Sequence, residues 1–426
     1  MITFLLFGSF IVLLIINVPV GISLGIASMS ALLYSGLVDS SYLAQSLVTS
    51  IDSFPLMAVP FFILAGDLMG HGGISKRLLD VGEIVFGKYT GGLALVAIAT
   101  CMFFAAISGS GPATVAAIGG IMFPAMAAKG YDKKFSAGLV ASAGCIGVVI
   151  PPSIPMVIYG VSSGVSVSKM FLAGIIPGIL IGLVLMLVSY YKSKKEGYVG
   201  ETKTYSAKEI FEIIYDAKWA IMVPIIILGG IYGGIFTPTE AAAVAVIYGF
   251  FVGMFIYKDL TIQDLYHVFT KSALTTSTVM IIVGTATVFG RVLAIERIPV
   301  MLAETITTIT ENPLLILIFI NILFLVVGCF METLAAIIIL SPILLPVATA
   351  VGVDPIHFGI IMIVNLSIGF ITPPLGLNLF VSARVAGLTL EEVSKGVLPF
   401  LFAMLITLIL LTYIPTISLF LPNISG

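Results

Sequence analysis

The sequence predicts an all-α polytopic membrane protein that consists of two inverted repeats. Of its 426 residues, 59% are hydrophobic and 9% are charged, whereas an ordinary soluble domain is about a quarter charged. In each half, two adjacent prolines interrupt an apolar segment, and such a pair must break a helix. The two interruptions are related by an internal repeat, because a shift of 222 residues superimposes four prolines on four others: Pro124, Pro151, Pro152 and Pro177 on Pro346, Pro373, Pro374 and Pro399.

The paired interruptions also predict where a binding site lies. A broken helix is tolerated in hydrocarbon only where it is buried in protein or lines a cavity. Interrupted apolar segments at corresponding positions of two halves are typical of the binding site of a secondary transporter. A single proline kink would fit simple packing equally well, so it is the second copy that favours a transporter.

The first repeat is predicted to cover residues 1–190. Its elements are crossings at 2–16, 20–33 and 54–69, a re-entrant hairpin at 92–128, the broken helix at 135–164 and a crossing at 171–190. The first two runs would exceed about 45 Å as one helix, so the chain must turn back between them. Each hairpin arm is about 24 Å long, short of a core of about 30 Å. Two short full crossings remain an alternative to the hairpin.

The second repeat, residues 219–426, is predicted to follow the same plan. Its elements are crossings at 219–236, 241–257 and 272–293, a re-entrant hairpin at 313–350, a broken helix at 356–386 and a crossing at 396–421. A polar linker, residues 191–218, joins the repeats and is expected to contain an amphipathic helix near 207–217. The first turn of the second repeat, between its first two crossings, reads Thr237-Pro238-Thr239-Glu240. This is a capping box, which is a sufficient reason for a glutamate at position 240.

Basic residues orient the two repeats across the membrane. Each repeat has five crossings, an odd number, so the second repeat is inverted relative to the first. With Met1 outside, the inner loops and the cytoplasmic linker hold 16 of the 19 lysines and arginines, as the positive-inside rule expects. Both termini are then periplasmic. The hairpin tips, residues 108–111 and 328–333, enter from opposite sides and approach each other near mid-membrane.

Enzymatic chemistry has little support in the sequence. The three cysteines and three histidines show neither zinc-ligand spacing nor an H-E-x-x-H pattern, and no phosphate-binding P-loop is present. A net charge of −2 gives no indication of nucleic-acid binding. A channel remains an alternative, but broken helices duplicated in inverted halves are more typical of alternating access.

Polar groups at membrane depth are functional candidates because they are unfavourable there. A half-helix N-terminus offers N–H groups to a carboxylate, and unwound carbonyls suit Na⁺. The candidates for substrate binding surround the tips and follow the breaks: Ser108, Ser110, Ser153, Glu332 and Asn378. Packing alone also explains small polar residues between helices, and it is the favoured interpretation of Asp67, Asn321 and Asn365. Arg291 is expected to snorkel to the outer face.

Three stretches resemble one transporter family. They are Ser108-Gly-Ser-Gly-Pro-Ala-Thr-Val-Ala-Ala-Ile-Gly119, Gly234-Ile-Phe-Thr-Pro-Thr-Glu-Ala-Ala-Ala-Val-Ala-Val246 and Gly369-Phe-Ile-Thr-Pro-Pro-Leu-Gly376. Over essentially its whole length the chain resembles the large membrane subunit (M subunit) of tripartite ATP-independent periplasmic (TRAP) transporters, within the ion-transporter superfamily. The second stretch is quite specific to that family.

The resemblance implies an elevator-type transporter of the bacterial cytoplasmic (inner) membrane. It implies sodium-driven import of a carboxylate such as sialic acid or a C4-dicarboxylate, with a small membrane subunit (Q type) and a periplasmic substrate-binding protein (P type) as partners. It further implies two Na⁺ sites between the tips and the breaks, formed by Ser108, Gly109, Ser110, Gly111, Gly147, Ile150, Pro151, Gly328, Thr333, Gly369, Thr372, Pro373 and Gly376. Many family members carry Asp where this chain has Glu332. A self-sufficient Na⁺/carboxylate transporter is the alternative.

Overall fold

The computed structural model describes residues 2–36, 40–200, 205–310 and 312–425. This described part is built from helices and contains no β-strand. Eight of its helices are long and apolar enough to cross a membrane. The predicted all-α polytopic membrane fold is therefore confirmed. Residues 201–204 of the predicted linker lie outside the described residues.

The described helices follow the same plan in both halves. The first half contains α1 Ile2–Ile15, α2 Val20–Ser35, α3 Ser40–Ile51, α4 Ala58–His71, α5 Ile74–Phe86, α6 Gly92–Ser108, α7 Gly111–Ala128, α8 Lys133–Gly144, α9 Ile154–Ser163 and α10 Val167–Glu196. The second half contains α11 Ala207–Tyr232, α12 Pro238–Phe251, α13 Ile262–Ile295, α14 Ile298–Ile309, α15 Pro313–Phe330, α16 Thr333–Ala350, α17 Pro355–Gly369, α18 Leu377–Ala386, α19 Leu390–Tyr413 and α20 Thr416–Ile424. Moved by 222 residues, α7 coincides with α16 at both ends.

Proline decides where the last helices end. The sequence predicted one crossing at 396–421, and this prediction is wrong, because α19 ends at Tyr413 and α20 begins at Thr416. A proline disfavours helical geometry at the residue before it, and Ile414, which precedes Pro415, adopts φ −120° and ψ 79°. At the other end, the expected linker helix near 207–217 is continuous with the next crossing as α11.

Three helices, α3, α5 and α14, were not among the predicted crossings, and α5 shows why. It buries Ile74, Leu78 and Leu79 on one side, while its other side is polar. An amphipathic helix of this kind contains no continuous apolar run. Arg77 of α5 pairs with Asp216 of α11 at 3.0 Å, so this helix fastens the start of the second half to the first.

The two broken helices form the centre of the molecule. Every residue of α8 from Phe135 to Gly144 is buried, and so is every residue of α17 from His357 to Gly369. A helix that is apolar all round is expected to be enclosed by other helices. By contrast, α15 exposes large side chains such as Phe319 and Phe330, as a helix facing lipid does.

The broken helices run antiparallel to each other. At one end Tyr159 Oη donates a hydrogen bond to Pro355 O at 2.6 Å. At the other end Ser382 Oγ donates to Ala137 O at 2.8 Å. Between them Cys145 Sγ lies 3.0 Å from Ser367 O, and these two positions are 222 residues apart. An antiparallel pair with such a contact is what two inverted repeats require; their orientation in the membrane stays a prediction.

The hairpins are joined to this centre crosswise. Helix α7 packs against α18 of the other half, and α16 packs against α9. Asn378 of α18 also donates to Ala141 O of α8 at 3.0 Å. Because α7 also packs against α8 and α16 against α17, each hairpin contacts both broken helices.

Several further polar residues join helices to one another. Asn365 Nδ2 donates to Asn321 Oδ1 at 2.7 Å, and Asn321 Nδ2 donates to Thr412 Oγ1 at 3.1 Å. These bonds link α15, α17 and α19. Arg291 donates from Nη1 to Ser46 Oγ at 2.8 Å and so links α13 to α3; its expected snorkelling stays a prediction.

Candidate functional site

A cavity of about 570 Å³ lies where the two hairpin tips face each other. The first tip contributes residues 108–111, and the second contributes Glu332 and Thr333. Parts of α4, α9, α13 and α18 complete the wall, together with Val148 and Phe370 at the two breaks. The cavity therefore combines the two tips with helices that precede and follow them in the chain.

The first tip gathers oxygen atoms. Gly109 ends α6 with φ 58°, a left-handed conformation that favours glycine, and the chain reverses there. Ser108 Oγ then lies 3.0 Å from Thr114 Oγ1. Thr114 Oγ1 donates to Ser110 O at 2.8 Å. Two hydroxyls and a main-chain carbonyl thus form one compact cluster.

The N-terminus of α7 faces this cavity without a side-chain cap. Ser110 is the extended N-cap residue, with φ −138°, yet its hydroxyl makes no capping hydrogen bond. The first N–H groups of a helix have no intrahelical partner, and Ser110, Gly111 and Ala113 line the cavity. An anion at this point would meet main-chain donors and the positive end of the helix dipole.

The second tip differs because it carries its own anion. Glu332 Oε2 accepts hydrogen bonds from the N–H groups of Leu334 at 2.9 Å and Ala335 at 3.2 Å. The carboxylate therefore caps α16, as acidic N-cap residues commonly do. Of the two helices that begin at the hairpin tips, α16 is capped by a side chain and α7 is not. The N-terminus of α18, whose Leu377 also lines the cavity, has no side-chain cap either. A direct contact of Glu332 with substrate stays a prediction.

Each tip packs tightly against the break of its own half. A Cβ atom on Gly147 would lie 2.6 Å from Thr114 Oγ1 and 2.7 Å from Ser110 O. A Cβ atom on Gly369 would lie 2.6 Å from Gly328 Cα. Side chains do not tolerate such short approaches, so glycine is required at both contacts. The oxygens of the first tip consequently lie directly against the first break.

The lining of the cavity contains some of the predicted binding residues and lacks others. Its lining contains Ser108, Gly109, Ser110, Gly111, Glu332 and Thr333, and does not contain Gly147, Ile150, Pro151, Ser153, Gly328, Gly369, Thr372, Pro373, Gly376 or Asn378. Ser153 is fully buried; its hydroxyl donates to Val148 O at 2.6 Å and accepts from Met156 N at 3.4 Å. The roles of Ser153 and Asn378 in substrate binding stay predictions.

Two predicted site residues carry buried oxygens that have no hydrogen-bond partner. Thr333 Oγ1 and Asn378 Oδ1 are buried and have no hydrogen-bond partner, which is uncommon in folded proteins. Thr333 belongs to the second tip. Thr372, at the second break, donates its hydroxyl to Ile368 O at 2.8 Å, so its oxygen can offer lone pairs to another group. Hydroxyl and carbonyl oxygens are suitable ligands for Na⁺, so the donor sets at both tips fit this ion.

Sequence reasoning missed one wall of the cavity. Lys271, one of the 16 basic residues assigned to the inner loops and the linker, lies in α13 and lines the cavity together with Thr275 and Thr278. Its ammonium group is 2.6 Å from Asp67 Oδ1. The spacing of these three residues, i, i+4 and i+7, is the signal that could have found them, because it places them on one helix face.

Comparisons with known proteins agree with this architecture. The chain matches the family described as "Tripartite ATP-independent periplasmic transporter, DctM component" over residues 7–417. It is also similar to the solved structure of the Alcanivorax borkumensis YdaH transporter, with a TM-score of 0.67, 16% sequence identity and coverage of 88% of this chain and 89% of that one. At this identity the structural similarity supports the fold alone.

Three relatives carry the comparison further. The isethionate TRAP transporter permease protein DctMQ of Oleidesulfovibrio alaskensis is 52% identical over 97% of this chain, which spans 65% of that protein's length. The C4-dicarboxylate TRAP transporter large permease protein DctM of Rhodobacter capsulatus is 40% identical over 99% of both chains. The sialic acid TRAP transporter large permease protein SiaM of Vibrio cholerae is 41% identical over 97% of this chain and 96% of its own. The chain therefore belongs to the DctM component family of tripartite ATP-independent periplasmic transporters, and it is a membrane transport protein rather than an enzyme.

Proposed function

We propose that this chain is the transport subunit of a sodium-driven, binding-protein-dependent importer of small organic acids. The hairpins and broken helices would form a transport body that moves in an elevator-like manner against the remaining helices. The crosswise attachment of α7 to α18 and of α16 to α9 supports this, because it joins the two tips and the two breaks into one group.

The observation that carries the proposal is the uncapped N-terminus of α7 at the cavity. An acidic group that leaves water needs replacement donors, because burying an unpaired charge is strongly unfavourable. The N–H groups of the first turn and the Ser110 hydroxyl supply such donors. At the second tip, Glu332 already occupies the corresponding position.

Sodium would bind where each tip meets its break. At the first tip, Ser108 Oγ, Thr114 Oγ1 and Ser110 O lie within hydrogen-bond distance of one another, beside Gly147. At the second tip, the unpartnered Thr333 oxygen lies near the close contact of Gly328 with Gly369. Two bound Na⁺ ions would add positive charge beside the acidic group of the substrate.

The substrate class is a small organic acid, with a carboxylate of the sialic acid or C4-dicarboxylate type as the first choice. Relatives named for these two classes are 41% and 40% identical. A sulfonate is the second candidate, because the relative named for isethionate is 52% identical. Main-chain N–H groups and hydroxyls can donate to a carboxylate or to a sulfonate. A transport measurement is therefore needed to distinguish the two substrate classes.

The partners would be a small membrane subunit of the Q type and a periplasmic substrate-binding protein of the P type. The resemblance to the large subunit of tripartite transporters supports both, and so does the family to which the chain belongs. The complex would lie in the bacterial inner membrane, with both termini of this chain in the periplasm.

Reconstitution tests the proposal directly. Proteoliposomes with this chain, the small subunit and the binding protein should accumulate a labelled organic acid when Na⁺ is applied outside, and should fail to do so with K⁺. Succinate, sialic acid and isethionate offered in turn would identify the class. The chain alone should show no accumulation. Uptake by the chain alone would favour a self-sufficient transporter, and conductance far above carrier turnover would favour a channel.

A further inference from the structure

One wall of the cavity is a polar stripe on α13. Lys271, Thr275 and Thr278 all line the cavity, and their spacing places them on one face of the helix. Thr275 Oγ1 donates to Lys271 O and Thr278 Oγ1 donates to Leu274 O, both at 3.0 Å. Both threonine hydroxyl protons are thus donated to carbonyls of the same helix. The Lys271 ammonium group is therefore the side-chain donor on this stripe that can bind an anion.

Asp67 of α4 holds that ammonium group in place. Asp67 Oδ1 is 2.6 Å from Lys271 Nζ, and Asp67 Oδ2 accepts a hydrogen bond from Ser272 Oγ at 2.8 Å. The aspartate side chain is 12% exposed, whereas the lysine side chain is 49% exposed. An ammonium group has three donors, so Lys271 can stay bonded to Asp67 while it donates to a second group in the cavity.

The balance of charge makes this lysine important. The described charged residues that line the cavity are Asp67, Lys271 and Glu332. An organic acid entering the cavity therefore meets two carboxylates and one ammonium group. Without the lysine, the charged side chains of the lining would all repel the substrate, since like charges at short range oppose each other.

We infer that Lys271 is a substrate-binding residue that binds an acidic group of the substrate on the α13 wall, and that Asp67 positions it. This inference rests on the proposed function, since it names a contact within the same cavity. The ligand chemistry is that of a carboxylate or sulfonate, which an ammonium group binds as a point charge. Lys271 thereby adds to the N-terminus of α7 a second attractive element for anions.

The test uses the complete reconstituted transporter and the organic acid that the wild type transports. Lys271→Gln should raise the KM for that acid about tenfold or more, the loss expected for a charge-assisted bond, with an unchanged Na⁺ concentration for half-maximal uptake. Lys271→Arg should restore most of the affinity. Asp67→Asn keeps a side-chain oxygen that can still position the ammonium group. It removes a negative charge from the cavity, so it should lower KM.

The controls separate this role from a structural one. Lys395→Gln breaks an exposed pair with Glu391, 2.7 Å long and away from the cavity, and should leave KM unchanged. The double variant Lys271→Gln/Asp67→Asn leaves no unpaired carboxylate and should still show the raised KM. If Lys271→Gln left KM unchanged, or if Asp67→Asn raised KM as much as Lys271→Gln, the pair would be a structural strut and the inference would be wrong. Failure of the wild type to transport any organic acid would instead overturn the proposed function.

Discussion

Ser110 and Ser153 look alike in the sequence but are used differently in the structure. Both are N-cap residues with extended geometry, at φ −138° and φ −129°, and each precedes an apolar helix with a proline in its first turn. The Ser153 hydroxyl bonds to Val148 O and Met156 N. The Ser110 hydroxyl makes no such cap and lines the cavity. The difference follows from the neighbours of each turn, which the local sequence does not describe.

This difference predicts different defects. Ser110→Ala should raise the KM for the transported acid by about tenfold or more, since a lost charge-assisted bond weakens binding to that extent, and should leave thermal stability unchanged. Ser153→Ala should lower the free energy of unfolding by about 1 kcal/mol, the usual effect of losing a helix cap. Uptake kinetics and thermal unfolding of the purified protein measure the two effects. A normal KM for Ser110→Ala would return this serine to a packing role.

At the scale of elements, the contact between the first tip and the first break joins the hairpin to the broken helix. Gly147 allows this contact because a Cβ atom there would reach Thr114 Oγ1 and Ser110 O. The proline pair breaks the helix locally. The break can contribute to an ion site only because the hairpin tip places its oxygens against it. Three oxygens of the tip, Ser108 Oγ, Thr114 Oγ1 and Ser110 O, form a cluster that lies against the break.

Gly147→Ala should therefore impair sodium coupling. The added methyl group would occupy the space beside the oxygen cluster, and overpacking of this kind typically costs about 1–3 kcal/mol. We expect a higher Na⁺ concentration for half-maximal uptake. Gly120→Ala in α7 is the matched control, since a Cβ atom there meets nothing within 4 Å. Equal sodium responses of the two variants would mean that the tip–break contact does not hold the ion.

At the scale of the whole molecule, the antiparallel broken helices are what an inverted repeat requires, and basic residues predict how the molecule lies in the membrane. Ser193, in the predicted cytoplasmic linker, is fully buried, so a cysteine placed there would be protected from a labelling reagent by packing rather than by the membrane. Lys194 in the same helix is exposed, and so is Asn423 near the C-terminus. These two positions can report on opposite sides of the membrane.

Cysteine labelling of intact cells should then distinguish the two sides. An impermeant maleimide added from outside should label Asn423→Cys and should not label Lys194→Cys until the inner membrane is opened. The native Cys101 and Cys145 are buried, which keeps their background low, and the partly exposed Cys329 can be removed. External labelling of Lys194→Cys, or protection of Asn423→Cys, would mean that the chain crosses the membrane in the opposite orientation.

Composition, hydropathy and prolines by themselves determined the all-α membrane fold. These signals can be recognised in the sequence because they act locally. A proline removes a hydrogen-bond donor from its own helix, and the length of an apolar run by itself shows whether it can span the membrane. The same local logic missed α5, whose apolar face depends on its partners, and joined α19 to α20 across Pro415.

Only the tertiary structure decided how the cavity is assembled. Lys271 and Asp67 are 204 residues apart, and neither position carries a local signal that it faces the other. Whether the cavity receives Ser110 or Ser153 depends on how the hairpins pack against the broken helices. Local backbone chemistry determines where a helix starts and stops, whereas the charge and shape of a site arise from contacts between segments that are distant in sequence.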